Sequence, residues 1–266
     1  MVHTGPGTPI LSRQRTPQTR WFPKRQASPR QYLGVAIDLR AVRAVVLPGT
    51  GSDDDYVTRA FGGPLRGAGA TLLAPRPQPT RLIAGYLSGL DDAAREGPIV
   101  VGGVSIGAAV ALAWALRHPE RTVAVLAALP AWTGAPGSSP AAIAARYSAQ
   151  QLREDGLDAT TAQMRASSPP WLADELTRSW RSQWPHLPGA MDEAAGYVAP
   201  TDAQLQRLAA PMGVAAAGDD PIHPVDVGRH WAAVAPHAAL RTVTLDQIGA
   251  DPAALGAACL AALDEA

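Results

Sequence analysis

The chain has 266 residues, enough for one large domain with a sizeable core, and its 47% hydrophobic and 17% charged residues are typical of a globular protein. Lysine plus arginine equals aspartate plus glutamate at 23 each, so the formal charges balance and leave no electrostatic footprint for nucleic acid or an anionic membrane. Cys259 is the only cysteine, which excludes an intrachain disulfide and a cysteine-based metal cluster.

Residues 1–33 differ from the rest of the chain. They are rich in proline and arginine, contain no acidic residue and show no periodic pattern. We expect a disordered tail, or a stretch upstream of the true start of the protein. A transit peptide is the alternative, but no amphipathic pattern supports it. Residues 32–37 are predicted to form a short edge strand.

The first long strand is predicted at residues 41–47. A Pro-Gly-Thr-Gly-Ser loop follows at residues 48–52, and three aspartates follow that loop at residues 53–55. Ser52 is predicted to cap a helix, and the aspartates complement the dipole of its first turn. A metal site or a site for a cationic substrate is the alternative role of these aspartates.

Strands and helices then alternate up to residue 134. Predicted strands cover residues 70–74, 98–102 and 122–129, and predicted helices cover residues 81–95, capped by Thr80, and residues 108–116. Such alternation implies a three-layer α/β/α architecture, in which helices cover both faces of a doubly wound, mostly parallel sheet.

Residues 135–200 interrupt the alternation with a helical insertion. The pairs Ser139-Pro140 and Ser168-Pro169 are predicted to open helices, because serine caps a helix well and proline suits its first position. The insertion also contains three tryptophans, Trp171, Trp180 and Trp184. They either line an apolar pocket or pack the insertion onto the sheet, and their helical spacing favours packing.

The alternation resumes after the insertion. We predict strands at residues 212–217 and 240–245, a helix at residues 225–234, a loop at residues 246–252, and a terminal helix at residues 252–263 capped by Asp251. The loop after the first of these strands reads Gly-Asp-Asp-Pro-Ile-His-Pro at residues 218–224.

One stretch resembles a known catalytic motif. Gly103-Val104-Ser105-Ile106-Gly107 fits Gly-x-Ser-x-Gly between a strand and an apolar helix, and in so sharp a turn a side chain at either glycine would collide with backbone. It resembles the nucleophile elbow of the α/β-hydrolase superfamily. The resemblance implies an α/β-hydrolase core at residues 34–134 and 201–266, with residues 135–200 as the helical cap.

The resemblance also implies roles for individual residues. Ser105 occupies the nucleophile position, and the backbone N–H of Ile106 would be one donor of the oxyanion hole. The loop at residues 48–52 has Pro-Gly where many relatives have His-Gly. Thr50, or next best Gly51, would supply the second N–H there.

The acid position is filled, but the histidine position is not. Asp220 fits the acid of the family best, with Asp219 as the near miss, whereas the loop after the last strand contains no histidine. Three hypotheses remain open. His223 acts as the general base from the acid loop, an aspartate or a substrate-assisted step replaces it, or the chain binds a ligand without turnover. Other roles suit the remaining histidines better, namely His3, His118, His186, His230 and His237.

We therefore expect a serine hydrolase that acts on an ester, thioester or amide carbonyl, with a small-molecule acyl substrate as its partner. The alternative is a degenerate α/β-hydrolase-like protein that binds a small apolar ligand. The sequence has no dinucleotide or phosphate-binding glycine motif, which argues against redox and phosphoryl-transfer functions. We expect neither a cofactor nor a metal. Without a long apolar run or a secretory signal, a cytoplasmic protein is expected, with no nucleic-acid or membrane partner. A homodimer is left open.

Overall fold

The computed structural model describes residues 1–3 and 37–266. The strands of these residues are β1 (Arg43–Leu47), β2 (Thr71–Leu73), β3 (Ile99–Val104), β4 (Thr122–Ala128), β5 (Met212–Ala217) and β6 (Ala238–Val243). The helices are α1 (Asp54–Gly67), α2 (Leu82–Ala94), α3 (Ile106–Arg117), α4 (Pro140–Glu154), α5 (Gly156–Ser167), α6 (Pro170–Gln183), α7 (Leu187–Ala195), α8 (Asp202–Leu205), α9 (Val225–Val234), α10 (Leu245–Ala250) and α11 (Ala253–Leu263). The predicted tail and the predicted edge strand at residues 32–37 lie outside the described residues, except for residues 1–3 and Ile37, which belong to no helix or strand.

The strands of the described region form one six-stranded sheet in the order β2-β1-β3-β4-β5-β6, and each neighbouring pair is parallel. The chain leaves β1 toward β2 and then returns to the other side of β1 for β3, so the winding direction reverses between β1 and β3. Ligands of doubly wound sheets bind outside the carboxyl ends of the strands at such a reversal. The loops after β1, β3 and β5 all open onto this edge.

The two faces of the sheet carry separate hydrophobic cores. Successive side chains of a strand point to opposite faces. Val45 of β1 packs into a core that it shares with α2, α3 and α9, whereas its neighbour Val46 packs into a core with α1 and α11. Helices therefore cover both faces, and the predicted three-layer architecture is confirmed.

Helices α4 to α7 lie within residues 135–200, the predicted insertion between β4 and β5, and α8 follows them before β5. Ser139 caps α4 as predicted, with its Oγ accepting a hydrogen bond from the backbone N–H of Ala142 at 3.4 Å. Helix α6 begins one residue later than predicted, with Pro170 in its first turn and Pro169 before it, so the prediction of Ser168 as its cap was wrong. Buried side chains of α4, α6 and α7 join the core that contains α3.

Two other helix starts also differ from the prediction. Asp53, not Ser52, caps α1, and its Oδ1 accepts a hydrogen bond from Tyr56 N at 2.9 Å. Thr80 does not cap α2. The carboxylate of Glu193 in α7 accepts hydrogen bonds from the first two N–H groups of α2 instead, at 2.9 and 3.2 Å. Both helices thus take their first-turn acceptor from an acidic residue rather than from the nearest hydroxyl.

The C-terminal segment contains a helix where a loop was predicted. The last strand, β6, ends at Val243, two residues before the predicted end. Thr244 then forms a capping box with Gln247, each side chain accepting a hydrogen bond from the other residue's backbone N–H, and this pair starts α10. Helix α11 begins at Ala253, one residue later than predicted, and Pro252 rather than Asp251 is its N-cap, although the N–H of Ala253 donates to Oδ1 of Asp251 at 2.9 Å.

Candidate active site

The turn between β3 and α3 holds Ser105 in a strained conformation. Its backbone has φ 55° and ψ −114°, a region that L-residues with a side chain rarely adopt. A Cβ on Gly103 would lie 2.3 Å from the carbonyl carbon of Gly107, and a Cβ on Gly107 would lie 2.4 Å from the carbonyl oxygen of Leu47. Only glycine fits either position, which is the steric reason for the Gly-x-Ser-x-Gly spacing.

The loop after β5 brings two more predicted residues to this serine. Nε2 of His223 lies 3.0 Å from Oγ of Ser105, and Nδ1 of His223 lies 2.8 Å from Oδ2 of Asp220. The other oxygen of Asp220 accepts hydrogen bonds from the backbone N–H groups of Ile222 at 2.8 Å and His223 at 3.2 Å. Serine, histidine and aspartate therefore form one continuous hydrogen-bonded chain, although the last two are only three residues apart.

Asp220 is held in its ionised form. Burial raises the pKa of its carboxyl group, but the hydrogen bond and charge of His223, together with the two backbone N–H groups, outweigh burial and leave the pKa below its ordinary value. An ionised carboxylate can only accept hydrogen bonds, so Nδ1 of His223 must be the donor in the contact between them. In a neutral imidazole, Nε2 then carries the lone pair, and it faces the hydroxyl of Ser105.

The loop after β1 approaches the same serine. Ser52 N donates a hydrogen bond to the carbonyl of Gly49 at 3.1 Å, and this bond closes a four-residue turn in which Gly51 has φ +68°. Thr50 lines the same cavity as Ser105. Ile106 has a buried side chain and is the first residue of α3, where a backbone N–H has no carbonyl of its own helix to bond.

A cavity of about 670 Å³ opens beside Ser105, within the range of about 300–1,000 Å³ that is typical of small-molecule sites. The insertion contributes a largely apolar wall, made by Ala141, Ala145, Met164, Leu172, Leu176, Trp180 and Met191. Both interpretations of the tryptophans hold for Trp180, which lines the cavity and is buried in the core. Trp171 also lines the cavity, whereas Trp184, which follows α6 and is 39% exposed, does not.

Sequence reasoning missed the charged network at the edge of this cavity. Arg178 of α6 donates hydrogen bonds to both carboxylate oxygens of Asp53 and to Glu175, and it also pairs with Asp55. Two of the three predicted aspartates thus pair with a cation of the insertion, 125 residues away in the case of Asp53. Such a separation leaves no local signal in the sequence.

Other candidate residues lie elsewhere. Asp219 accepts a hydrogen bond from Leu245 N at 2.8 Å. His118 stacks on Trp114, and His230 pairs with Asp202 at 2.7 Å. The described residues contain no group of three or more metal-binding side chains, and none of their helices has the length and apolar character of a membrane span.

The described part of the chain has the α/β-hydrolase fold. The sequence matches no family model, and it has no significant match among the curated proteins. Solved structures do match it. A hydrolase from Oleispira antarctica is 12% identical, with a TM-score of 0.66, over 84% of this chain and 91% of that one.

Two further structures resemble the chain to a similar degree. A carboxylesterase structure from Nitrososphaera gargenis is 14% identical over 80% of this chain and 85% of its own, with a TM-score of 0.63. A hydrolase from Pseudomonas aeruginosa is 21% identical over 84% and 90%, with a TM-score of 0.60. At these identities the similarity establishes the fold alone, and the predicted α/β-hydrolase fold is confirmed.

Proposed function

We propose that this chain is a serine hydrolase that cleaves an ester, thioester or amide. The observation that carries the proposal is the 3.0 Å contact between Nε2 of His223 and Oγ of Ser105. A serine hydroxyl is a weak nucleophile unless a base lies within hydrogen-bond reach and a third group orients that base. Asp220 is the orienting group, and His223 takes the place of the histidine that is missing after β6.

In the first half of the reaction, Oγ of Ser105 attacks the carbonyl carbon of the substrate and its proton moves to Nε2 of His223. The carbonyl π electrons move to oxygen, and the backbone N–H groups of Thr50 and Ile106 stabilise the resulting oxyanion. Asp220 stabilises the imidazolium through Nδ1. When the tetrahedral intermediate collapses, Nε2 gives its proton to the leaving alcohol, thiol or amine, and an acyl-enzyme remains.

In the second half, a water molecule attacks the acyl carbon. His223 removes one proton from the water and then returns it to Oγ of Ser105 as the second tetrahedral intermediate collapses. The carboxylic acid leaves and the starting state is restored. No cofactor is needed in this reaction, because His223 passes each proton that it accepts either to the leaving group or back to Oγ of Ser105.

The cavity favours an uncharged, apolar acyl substrate. Its apolar wall comes from the insertion, whereas the charged side chains along its edge, Asp53, Glu175 and Arg178, already pair with one another. We expect esters with an apolar acyl group to be turned over faster than those with a carboxylate. A series of p-nitrophenyl esters that differ in acyl length and charge measures this preference.

Labelling with a fluorophosphonate probe tests the proposal. Wild-type protein should be labelled, whereas Ser105→Ala should not be, and ester hydrolysis by Ser105→Ala and by His223→Ala should fall at least about 10³-fold. His230→Ala is the matched control, because His230 forms the other histidine–aspartate pair described above but does not line the cavity beside Ser105. It should keep both labelling and hydrolysis.

Folded wild-type protein that takes up no probe and hydrolyses no ester would count against the proposal and would favour the binding-protein alternative. Full labelling of His223→Ala would leave Ser105 as a nucleophile but assign its activation to another base.

A further inference from the structure

Helix α6 of the insertion contacts three consecutive residues of the loop after β1. Nε2 of Gln183 donates a hydrogen bond to the carbonyl of Ser52 at 3.0 Å, and Arg178 binds the carboxylate of Asp53. The indole edge of Trp180 packs against Gly51, where a Cβ would lie 2.7 Å from Nε1.

The Gln183 contact fixes a backbone group. Gln183 is 5% exposed, and its Nε2 also donates to Oγ of Ser179 at 2.8 Å. Both hydrogens of its amide group therefore have acceptors, one in the loop and one in α6. Ser52 closes the turn through its own N–H to Gly49. The turn is thus closed internally by the N–H of Ser52 and held from outside through the carbonyl of the same residue.

The Arg178 contact fixes the end of the loop. Nη2 of Arg178 lies 2.9 Å from Oδ1 and 3.0 Å from Oδ2 of Asp53, and Nε lies 3.3 Å from Oδ2. Oδ1 also accepts the N–H of Tyr56 in the first turn of α1. Asp53 therefore joins the loop, the start of α1 and helix α6 in one arrangement.

The packing of Trp180 closes the remaining side. Within the described part of the chain, the indole N–H of Trp180 has no hydrogen-bond partner, and it lies against the one residue of the turn with a positive φ. A residue with a side chain at position 51 would have to displace either the loop or α6. The glycine thus permits the close approach of helix and loop.

We propose that α6 positions the oxyanion donor of Thr50, with Gln183 and Arg178 as positioning residues that act through Ser52 and Asp53. An oxyanion donor has to lie about 2.7–3.1 Å from the developing charge, and a misplacement of about 1 Å can cost about 10²-fold in rate. This inference rests on the proposed hydrolase function. It implies that the oxyanion hole is assembled only when α6 of the insertion packs onto the loop after β1.

Gln183→Met tests the inference, because methionine has a similar length but no donor. We expect kcat for p-nitrophenyl butyrate to fall about 10-fold or more with KM within about two-fold of wild type. The affinity for a trifluoromethyl ketone, whose tetrahedral adduct places an oxyanion in the same site, should fall by the same factor. Arg178→Lys keeps the charge but loses the two-pronged contact, so it provides a second variant with the same expected pattern.

Glu193→Ala is the matched control. Glu193 also links the insertion to the sheet domain, by accepting the first N–H groups of α2, and within the described residues its hydrogen bonds go to α2 and not to the loop after β1. Its removal should lower the melting temperature while kcat and ketone affinity stay within about two-fold of wild type. Equal losses in Glu193→Ala and Gln183→Met, or a change confined to KM, would overturn the positioning role.

The two proposals fail in different ways. Wild-type protein without esterase activity and without fluorophosphonate labelling overturns the hydrolase function, and the positioning role with it. Active wild type together with unchanged kcat and ketone affinity in folded Gln183→Met and Arg178→Lys overturns the positioning role alone.

Discussion

Replacing Asp220 with asparagine should slow the proposed reaction through the tautomer of His223. Oδ1 of Asp220 accepts the backbone N–H groups of Ile222 and His223. An asparagine keeps both bonds only if its oxygen occupies the Oδ1 position, and its NH₂ group then faces Nδ1 of His223. Nδ1 must accept, so Nε2 carries the proton and cannot take another from Ser105.

Flipping the amide restores the tautomer but leaves two backbone N–H groups without an acceptor. Each unpaired N–H group costs about 1–3 kcal/mol when buried. Because Ile222 is partly exposed, we expect a combined cost of about 2–4 kcal/mol for the two groups. That free energy corresponds to a fall in kcat of about 30-fold to 10³-fold. The assay is the steady-state hydrolysis of p-nitrophenyl butyrate.

Asp219→Asn is the control for this prediction, because Oδ1 of Asp219 accepts only the N–H of Leu245 in the contacts described above. An amide oxygen can accept that bond as well, so kcat should stay within about two-fold of wild type. The reasoning fails if Asp220→Asn retains kcat within about three-fold of wild type, or if Asp219→Asn loses as much.

Three further predictions concern stability and reactivity. Gly107→Ala should lower the free energy of unfolding in urea by at least about 3 kcal/mol, because its Cβ would meet the carbonyl oxygen of Leu47 at 2.4 Å. Gly189→Ala, with open space around its Cβ, should raise it by about 0.4–1 kcal/mol. Similar stabilities of the two variants would contradict this prediction. Burial raises the pKa of the Cys259 thiol, so a thiol reagent should modify it only after unfolding, and rapid labelling of native protein would refute that. The pKa of Asp220 is lower in the folded protein than its ordinary value. Its ionised carboxylate therefore contributes fully to stability above the ordinary aspartate pKa, and this contribution disappears as the pH falls through the folded pKa. The difference in unfolding free energy between wild type and Asp220→Asn should shrink on acidification, and a constant difference would contradict the prediction.

Regular elements of the sheet domain were predictable because their patterns are local. Strand β5 (Met212–Ala217) and helix α9 (Val225–Val234) have the predicted bounds, since the apolar run ends at a glycine and the helix begins after a proline. Helix α10 was missed although its capping box, Thr244 with Gln247, is readable. The prediction extended the last strand to residue 245 and therefore assigned to that strand the threonine that starts this helix.

The candidate site was predictable in identity but not in geometry. The elbow glycines follow from local sterics, so the position of Ser105 could be read from the sequence. The approach of His223 to Ser105 depends on how Asp220 bends its own loop through two backbone hydrogen bonds, and spacing alone does not specify that conformation. The contacts of Arg178 with Asp53 join residues 125 positions apart and were not legible at all.

The short spacing between Asp220 and His223 has a consequence for how such an enzyme can change. In the proposed mechanism, one seven-residue segment, residues 218–224, carries both the acid and the base. Any shift of this loop therefore displaces both residues, and they are inherited as one piece of sequence. The segment after β6 then carries no catalytic residue and can vary in sequence or length. Residues 218–224 would also be a portable unit, which protein engineers could transplant into a related fold whose own histidine has been removed.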